Sequence, residues 1–382
     1  MRLAPSWVVT GELSFKVPSQ SSRDQPSAQR VLPPRRHRLI RSTLIFLAIV
    51  IIGVIGIVSL SPSPSVTTTI SGGSNTTSTT VPPTTTTVAL PGTVQGASLY
   101  GVQSDTMSIS EANTNLCLPN GQGGTLCGPR TITVGVYYPY IANAANQTPY
   151  RGNDRLPLVL FAPGFNEPYT TYLPLINSLV GDGFVVAGIN FPLNTPSSPG
   201  GPNEADIVNQ PSDMTYALTQ LIDDEQSPTS ALYGLFDPAK VVATGQSDGG
   251  DTVLALADNS CCRDKRIDAV IVFSGAELSS YKGTYFSGTT IPILVIQGTN
   301  DVINVPADSD QIYSGANTPK YYLHLIGADH LTPYTSNDQY LQVVNNVSAD
   351  FIDGYILGQT SALTKMISDG TVAGVASIDN SP

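Results

Sequence analysis

The chain has 382 residues and a formal charge of −11, with 41% hydrophobic and 12% charged residues. The apolar share is enough for a buried core, so wholesale disorder is excluded, and the length allows one large domain with appended segments or two domains. The negative charge argues against a nucleic-acid partner, which needs clustered Lys and Arg, and four cysteines are too few for a disulfide-built mini-scaffold.

The charge is unevenly spread. Residues 1–43 hold eight of the eighteen Lys/Arg and two of the twenty-nine Asp/Glu, a local +6, which leaves −17 for the remainder. Residues 1–42 lack hydrophobic periodicity and are expected to form a disordered basic cytoplasmic tail. Residues 44–58 (LIFLAIVIIGVIGIV) carry no polar side chain, and residues 43–60 make an eighteen-residue segment. As a helix it would be roughly 27 Å long, close to the hydrocarbon thickness of a bilayer. Arg35, Arg36, Arg38 and Arg41 precede it, and no charge follows until Asp105. This asymmetry predicts a single-pass signal-anchor with a cytoplasmic N-terminus and everything after Leu60 outside the cell. The alternatives are a cleaved signal peptide, which would release a secreted protein, and a buried core helix. The first would need an unusually long n-region and shows no A-x-A site, and the second conflicts with the lack of a polar face.

Residues 61–93 contain eighteen Ser or Thr and five Pro among thirty-three positions. Such a block cannot bury enough apolar surface to fold and reads as an extended stalk. From residue 94 to residue 382 the pattern becomes alternating strands and helices. Strands are expected at 131–138, 156–162, 184–191, 240–245, 267–274, 291–297 and 321–326, and helices at 171–180, 205–225, 249–259 and 336–357. Most of these strands are continuous apolar runs, as in a sheet buried on both faces. The expected fold class is therefore α/β: a mostly parallel central sheet with helices on both faces.

Gly245-Gln246-Ser247-Asp248-Gly249-Gly250 lies between an apolar strand and a helical run. G-x-S-x-G in that context is a nucleophile elbow, which exposes the serine hydroxyl at the strand's C-terminal end beside a helix N-terminus. The chain has three histidines. His37 is in the tail and His324 lies inside a strand, where a packed or surface role is expected. His330 follows that strand in a loop at the sheet's C-terminal edge, where ligands of open α/β sheets bind, and is the expected base. Asp301 follows the strand 291–297 and is the expected orienting acid, with Glu277, Asp308 and Asp310 as rivals. The backbone N–H groups of Phe165 and Asp248 are the expected oxyanion donors.

These residues, in this order, resemble the α/β-hydrolase superfamily. Tyr137-Tyr138-Pro139, Phe161-Ala162-Pro163-Gly164-Phe165, Gly183-Phe184-Val185-Val186 and Asn300 through Pro306 are similar to one branch. That branch contains bacterial cutinase-like polyester hydrolases, dienelactone-hydrolase-like proteins and the platelet-activating-factor acetylhydrolase–chlorophyllase group. The resemblance covers about residues 130–355 and implies an α/β-hydrolase fold that cleaves carboxylic esters without metal or organic cofactor. Its substrate would be a small-molecule, lipid or polyester ester. The polyester hydrolases carry Met where this chain has Asp248, and a Trp where it reads Gly275-Ala276-Glu277-Leu278; the sole tryptophan is Trp7. On the fold template, Tyr169, Tyr172, Tyr334 and the loop 192–203 are expected to shape the substrate pocket, and the Asp248 carboxylate to disfavour anionic substrates.

An extracytoplasmic domain permits disulfides, and the expected pairing is Cys117 with Cys127 and Cys261 with Cys262. Asn75, Asn146 and Asn346 begin glycosylation sequons. The last fifteen or so residues show no readable chemistry. Two other readings of the chain are a non-catalytic hydrolase-fold binding module of the cell envelope and a serine peptidase or amidase.

Overall fold

The computed structural model describes residues 100–119, 125–141, 148–150 and 155–382, all within the unit Thr85–Pro382. The tail, apolar segment and stalk expected over 1–93 lie outside the described residues, as do Asn75 and Asn146. No helix among the described residues is long and apolar enough to cross a membrane.

The centre of the sheet is parallel. Its strands are β4 (Leu156–Ala162), β5 (Val185–Asn190), β6 (Phe236–Gln246), β7 (Ala269–Phe273), β8 (Ile293–Gly298) and β9 (Lys320–Leu325). They lie in the order β5-β4-β6-β7-β8-β9, each parallel to its neighbours. The apolar runs form these strands because both faces are covered. In β4, Leu158, Leu160 and Ala162 point into one core with Met214 and Leu218. Val159 and Phe161 point into the other with Leu175 and Val344.

The helices are α1 (Leu173–Gly181), α2 (Gln210–Gln226), α3 (Asp248–Asp258), α4 (Pro306–Gly315), α5 (Thr332–Thr335), α6 (Gln339–Tyr355) and α7 (Thr360–Asp369). Helices α2, α3 and α4 pack on the first core, and α1, α6 and α7 on the second. Two expected helices are each split, and a third starts late. Residues 171–180 become a 3-10 turn, Tyr169–Tyr172, followed by α1. Residues 205–225 become a 3-10 segment, Glu204–Asn209, followed by α2. In both, a proline in the first turn marks the restart, where its missing N–H leaves no bond unmade. The helix expected from residue 336 begins instead at Gln339, where the Asp338 carboxylate accepts the N–H groups of Tyr340 and Leu341.

The sheet edges are antiparallel. A long hairpin of β1 (Tyr100–Pro119) and β2 (Thr125–Ile141) joins the sheet through β2 on β5, with the two-residue β3 (Thr148–Pro149) on β2. The opposite edge is β10 (Ala376–Ser381), antiparallel to β9. This strand was not legible in the sequence: ASIDNS has no apolar run, because most of its side chains face solvent and the backbone ladder holds it.

One buried ion cluster pins the hairpin to the helical layer. Arg130 of β2 donates to both carboxylate oxygens of Asp206 in the 3-10 segment at 2.8 Å and to those of Asp213 in α2 at 2.8 and 2.6 Å. All three residues are buried. Arg130→Met would leave two buried carboxylates without their cation, and we expect a loss of about 3–5 kcal/mol, read from urea denaturation. A loss under about 1 kcal/mol would show that the cluster holds nothing together.

Candidate active site

Strand β6 ends at Gln246 and α3 begins at Asp248, so the reversal falls on Ser247, at φ 56° and ψ −125°. A non-glycine residue there is strained by about 1–3 kcal/mol. Its surroundings enforce the turn. A Cβ on Gly245 would lie 2.2 Å from the carbonyl oxygen of Gly249, and one on Gly249 would lie 2.0 Å from that of Ala162. Only glycines let the strand and helix approach this closely. The Ser247 N–H donates to the carbonyl of Phe273 at 3.0 Å, and the Ser247 carbonyl accepts the Asp251 N–H at 2.9 Å. The hydroxyl is left at the sheet's C-terminal edge.

Two later strands deliver side chains to that edge. His330 lies in the loop after β9, and its Nε2 is 2.9 Å from Ser247 Oγ. Asp301 lies in the loop after β8, and its Oδ2 accepts His330 Nδ1–H at 2.7 Å. This fixes the tautomer that leaves Nε2 as acceptor for the serine proton. The Asp301 side chain is fully buried, and that of His330 is 12% exposed. Asp301 Oδ2 also accepts Gln297 Nε2 at 3.0 Å, and Oδ1 accepts the Ile303 N–H at 2.9 Å. Gln297 is held in turn by the Ser309 hydroxyl, which donates to its Oε1 at 2.8 Å. Asp301 is thus a fully bonded carboxylate in a dry setting.

The rivals lie elsewhere. Asp308 and Asp310 belong to α4, and the Glu277 carboxyl, raised by burial, bonds Gln311. His324 on β9 stacks on Tyr322 with ring centroids 3.8 Å apart, and its Nε2 lies 3.0 Å from Asp379 Oδ2. The two expected oxyanion donors occupy suitable elements: Phe165 in the turn after β4, and Asp248 as the first residue of α3, where helix N–H groups lack intrahelical partners.

The three tyrosines expected to line a substrate pocket require correction. Tyr169 is 5% exposed, and Tyr172 and Tyr334 are 0% exposed, so none offers a surface to a ligand. The Tyr169 ring lies over Gly135 and Gly188, where any Cβ would collide with it. Tyr334 packs on Phe273, its hydroxyl 2.9 Å from Ser274 Oγ. Tyr172 is clamped between Gly164 and Gln246: its hydroxyl accepts the Gly164 N–H at 3.1 Å and donates to Gln246 Oε1 at 2.7 Å. No local pattern signals this burial, because each ring is covered by a distant segment. Gln246, inside the elbow motif, and Asn194, inside the loop 192–203, have a positional hint in the sequence, and Gln297 has only its place at the end of a strand.

Cys261 and Cys262 form a vicinal disulfide in the segment after α3. The ladder register sets Cys117 opposite Cys127, and Cys127 is disulfide-bonded. Asn346 lies within α6 and the Ser348 of its sequon is buried, which closes that position to modification in the folded chain.

A parallel sheet whose middle strand ends in a strained serine turn, with Asp and His delivered by later strands to the same edge, defines the α/β-hydrolase class. A family profile described as PET hydrolase-like matches residues 136–360, more than half of the chain, and the chain belongs to that family. The family is one of polyester hydrolases, so the chain is placed among the ester hydrolases. No curated protein matches the chain.

The electrostatics beside Ser247 differ from the simple anion expected for Asp248. Burial, reinforced by Glu204, pushes its carboxyl up to about 7. The neighbouring Asp251, buried and close to Asp248, is raised well above its ordinary value. In the unfolded chain Asp248 ionises near 3.8, so between there and about 7 the folded protein keeps a proton that the unfolded chain has lost. Stability therefore falls as pH rises across that window. We expect Asp248→Asn to raise the urea midpoint at pH 8 and to converge with the wild type at pH 4. Equal midpoints at both pH values would refute the raised carboxyl.

Proposed function

We propose that the chain is a membrane-tethered serine ester hydrolase working outside the cytoplasm by two-step acyl transfer. The observation that carries the reading is the continuous hydrogen-bond chain from Ser247 Oγ through His330 to Asp301. In the first step Ser247 Oγ attacks the ester carbonyl carbon while His330 Nε2 takes its proton. The negative charge moves to the carbonyl oxygen, facing the N–H groups of Phe165 and Asp248; one such donor is worth about 3 kcal/mol. The C–O bond to the alcohol breaks, and His330 returns the proton to the leaving oxygen. Water, deprotonated by His330, then attacks the acyl carbon and releases the acid and the free serine.

The tether rests on the apolar run 44–58, the arginines before it and the uncharged Ser/Thr/Pro-rich block after it. This orientation sets the −17 portion outside the cell, where it repels anionic partners. Compact soluble esters suit the site better than an aromatic polymer. The chain has no tryptophan beyond Trp7, and Tyr169, Tyr172 and Tyr334 are closed off in the core.

The test uses a fluorophosphonate probe and short p-nitrophenyl esters on the full-length chain. Wild type should label and turn over, and Ser247→Ala should do neither, losing about 10⁴-fold or more in kcat. Absence of labelling and of Ser247-dependent turnover would leave the binding-module reading instead. The charge beside the nucleophile adds a second expectation. Discrimination against a carboxylate-bearing ester, relative to a neutral one of equal size, should increase from pH 6 to pH 8 as Asp248 ionises near 7, and should be flat in Asp248→Asn. A flat profile in the wild type would remove Asp248 from substrate selection.

A further inference from the structure

We propose that Asn194, Tyr172 and Gln246 form a single polar relay that sets the oxyanion peptide and the base in one register, acting as positioning residues for the ester hydrolysis proposed above. The relay starts in the loop after β5. Asn194 Nδ2 donates to the Gly164 carbonyl at 2.9 Å. On the other side of the same residue, the Gly164 N–H donates to the Tyr172 hydroxyl at 3.1 Å. That hydroxyl donates to Gln246 Oε1 at 2.7 Å, and Gln246 Nε2 donates to the backbone carbonyl of His330 at 2.9 Å. Asn194 and Gln246 are each 1% exposed, so water does not compete for these bonds.

The geometry gives each link a consequence for the reacting atoms. The Gly164 carbonyl and the Phe165 N–H share one planar trans peptide and point in opposite directions. A bond that fixes the carbonyl therefore fixes the direction of the N–H assigned to the oxyanion. A Cβ on Gly164 would lie 2.7 Å from Gln246 Oε1 and 3.2 Å from Ser247 Cβ, so this turn sits directly against the nucleophile. Gln246 is the residue before Ser247 and holds the loop that carries His330. One amide side chain thus links the nucleophile's strand, the oxyanion turn and the base.

The direction of the bonds is self-consistent. Burial raises the Tyr172 phenol far above its ordinary value, so it remains a donor at any working pH. It accepts from Gly164 and so donates to Gln246 Oε1. This turns the amide nitrogen toward His330, and an acid or a hydrocarbon at position 246 cannot serve both ends while ionised or apolar. Interactions of this kind act on the transition state, because they aim donors at charge that is absent in the ground state.

The test measures kcat, KM, fluorophosphonate labelling rate and thermal midpoint on the full-length chain with a neutral p-nitrophenyl ester. The variants are Asn194→Leu, Tyr172→Phe and Gln246→Glu, each close in size to the residue replaced. We expect kcat and labelling rate to fall about 10- to 100-fold with KM within about twofold. The Asn194→Leu and Tyr172→Phe losses should be non-additive in the double variant, because both act on Gly164. The Gln246→Glu deficit should grow from pH 6 to pH 9, as its carboxyl loses the proton that can replace the amide donor. Where one variant does not fold, the other two carry the test through the same kcat-against-KM comparison. Folded variants with wild-type kcat, losses confined to KM, strict additivity, or a pH-independent Gln246→Glu deficit would each overturn the relay. An inert wild type would instead overturn the hydrolase reading and the relay with it.

Discussion

Ser247 can hold its left-handed backbone only where strand β6 and helix α3 meet with almost nothing between them. A Cβ on Gly245 or Gly249 would overlap backbone oxygens at 2.2 and 2.0 Å. The second of these oxygens belongs to Ala162, the last residue of the neighbouring strand β4. The elbow is thus a three-body contact among β4, β6 and α3, and it exists only after the sheet has formed. Everything at the candidate site inherits its position from that contact. The hydroxyl points off the sheet edge, the N–H of Asp248 opens the helix, and the turn after β4 that carries Phe165 lies beside both.

The polar groups around the elbow fall into two sets with opposite electrostatic character. Asp301 is buried and accepts hydrogen bonds from His330, Gln297 and Ile303. Asp248 and Asp251 are buried with like charges nearby, and burial drives both toward the neutral form. The same residue type thus meets different surroundings on the two sides of Ser247, and on the Asp248–Asp251 side it is pushed toward protonation. The difference lies in the number of donors each carboxylate meets. A Met at position 248 would avoid the desolvation cost, so the acidic residue makes the environment of Ser247 sensitive to pH near neutrality.

The central strands were legible because a parallel sheet buried on both faces needs continuous apolar runs, and 156–162 and 291–297 supply them. Ser247, Asp301 and His330 could be chosen as candidates because open α/β sheets present functional loops at strand C-termini, and the glycine spacing marked one such loop. Legibility failed where a feature depended on segments distant in sequence. Tyr169, Tyr172 and Tyr334 look alike in the sequence as pocket-lining aromatics, yet each is buried by a different partner. Asn194 reads only as one position in a loop expected to shape the pocket, and its bond to Gly164 exists only once that turn folds against it. Strand β10 has no apolar pattern, since an edge strand needs only backbone partners on one side.

The sequence alone determined the compositional division of the chain, the α/β class and the identity of the three residues that now meet at one edge. Local signals carry that information: apolar runs, proline and glycine positions, and the order of Ser, Asp and His. Only the tertiary structure decided which polar side chains are buried and what satisfies them. Arg130 pairs with Asp206 and Asp213 across 76 and 83 residues of chain, and Gln246 reaches His330 across 84. Bonds over such separations leave no periodic trace in the sequence, because they depend on how the layers close and not on the propensity of any segment.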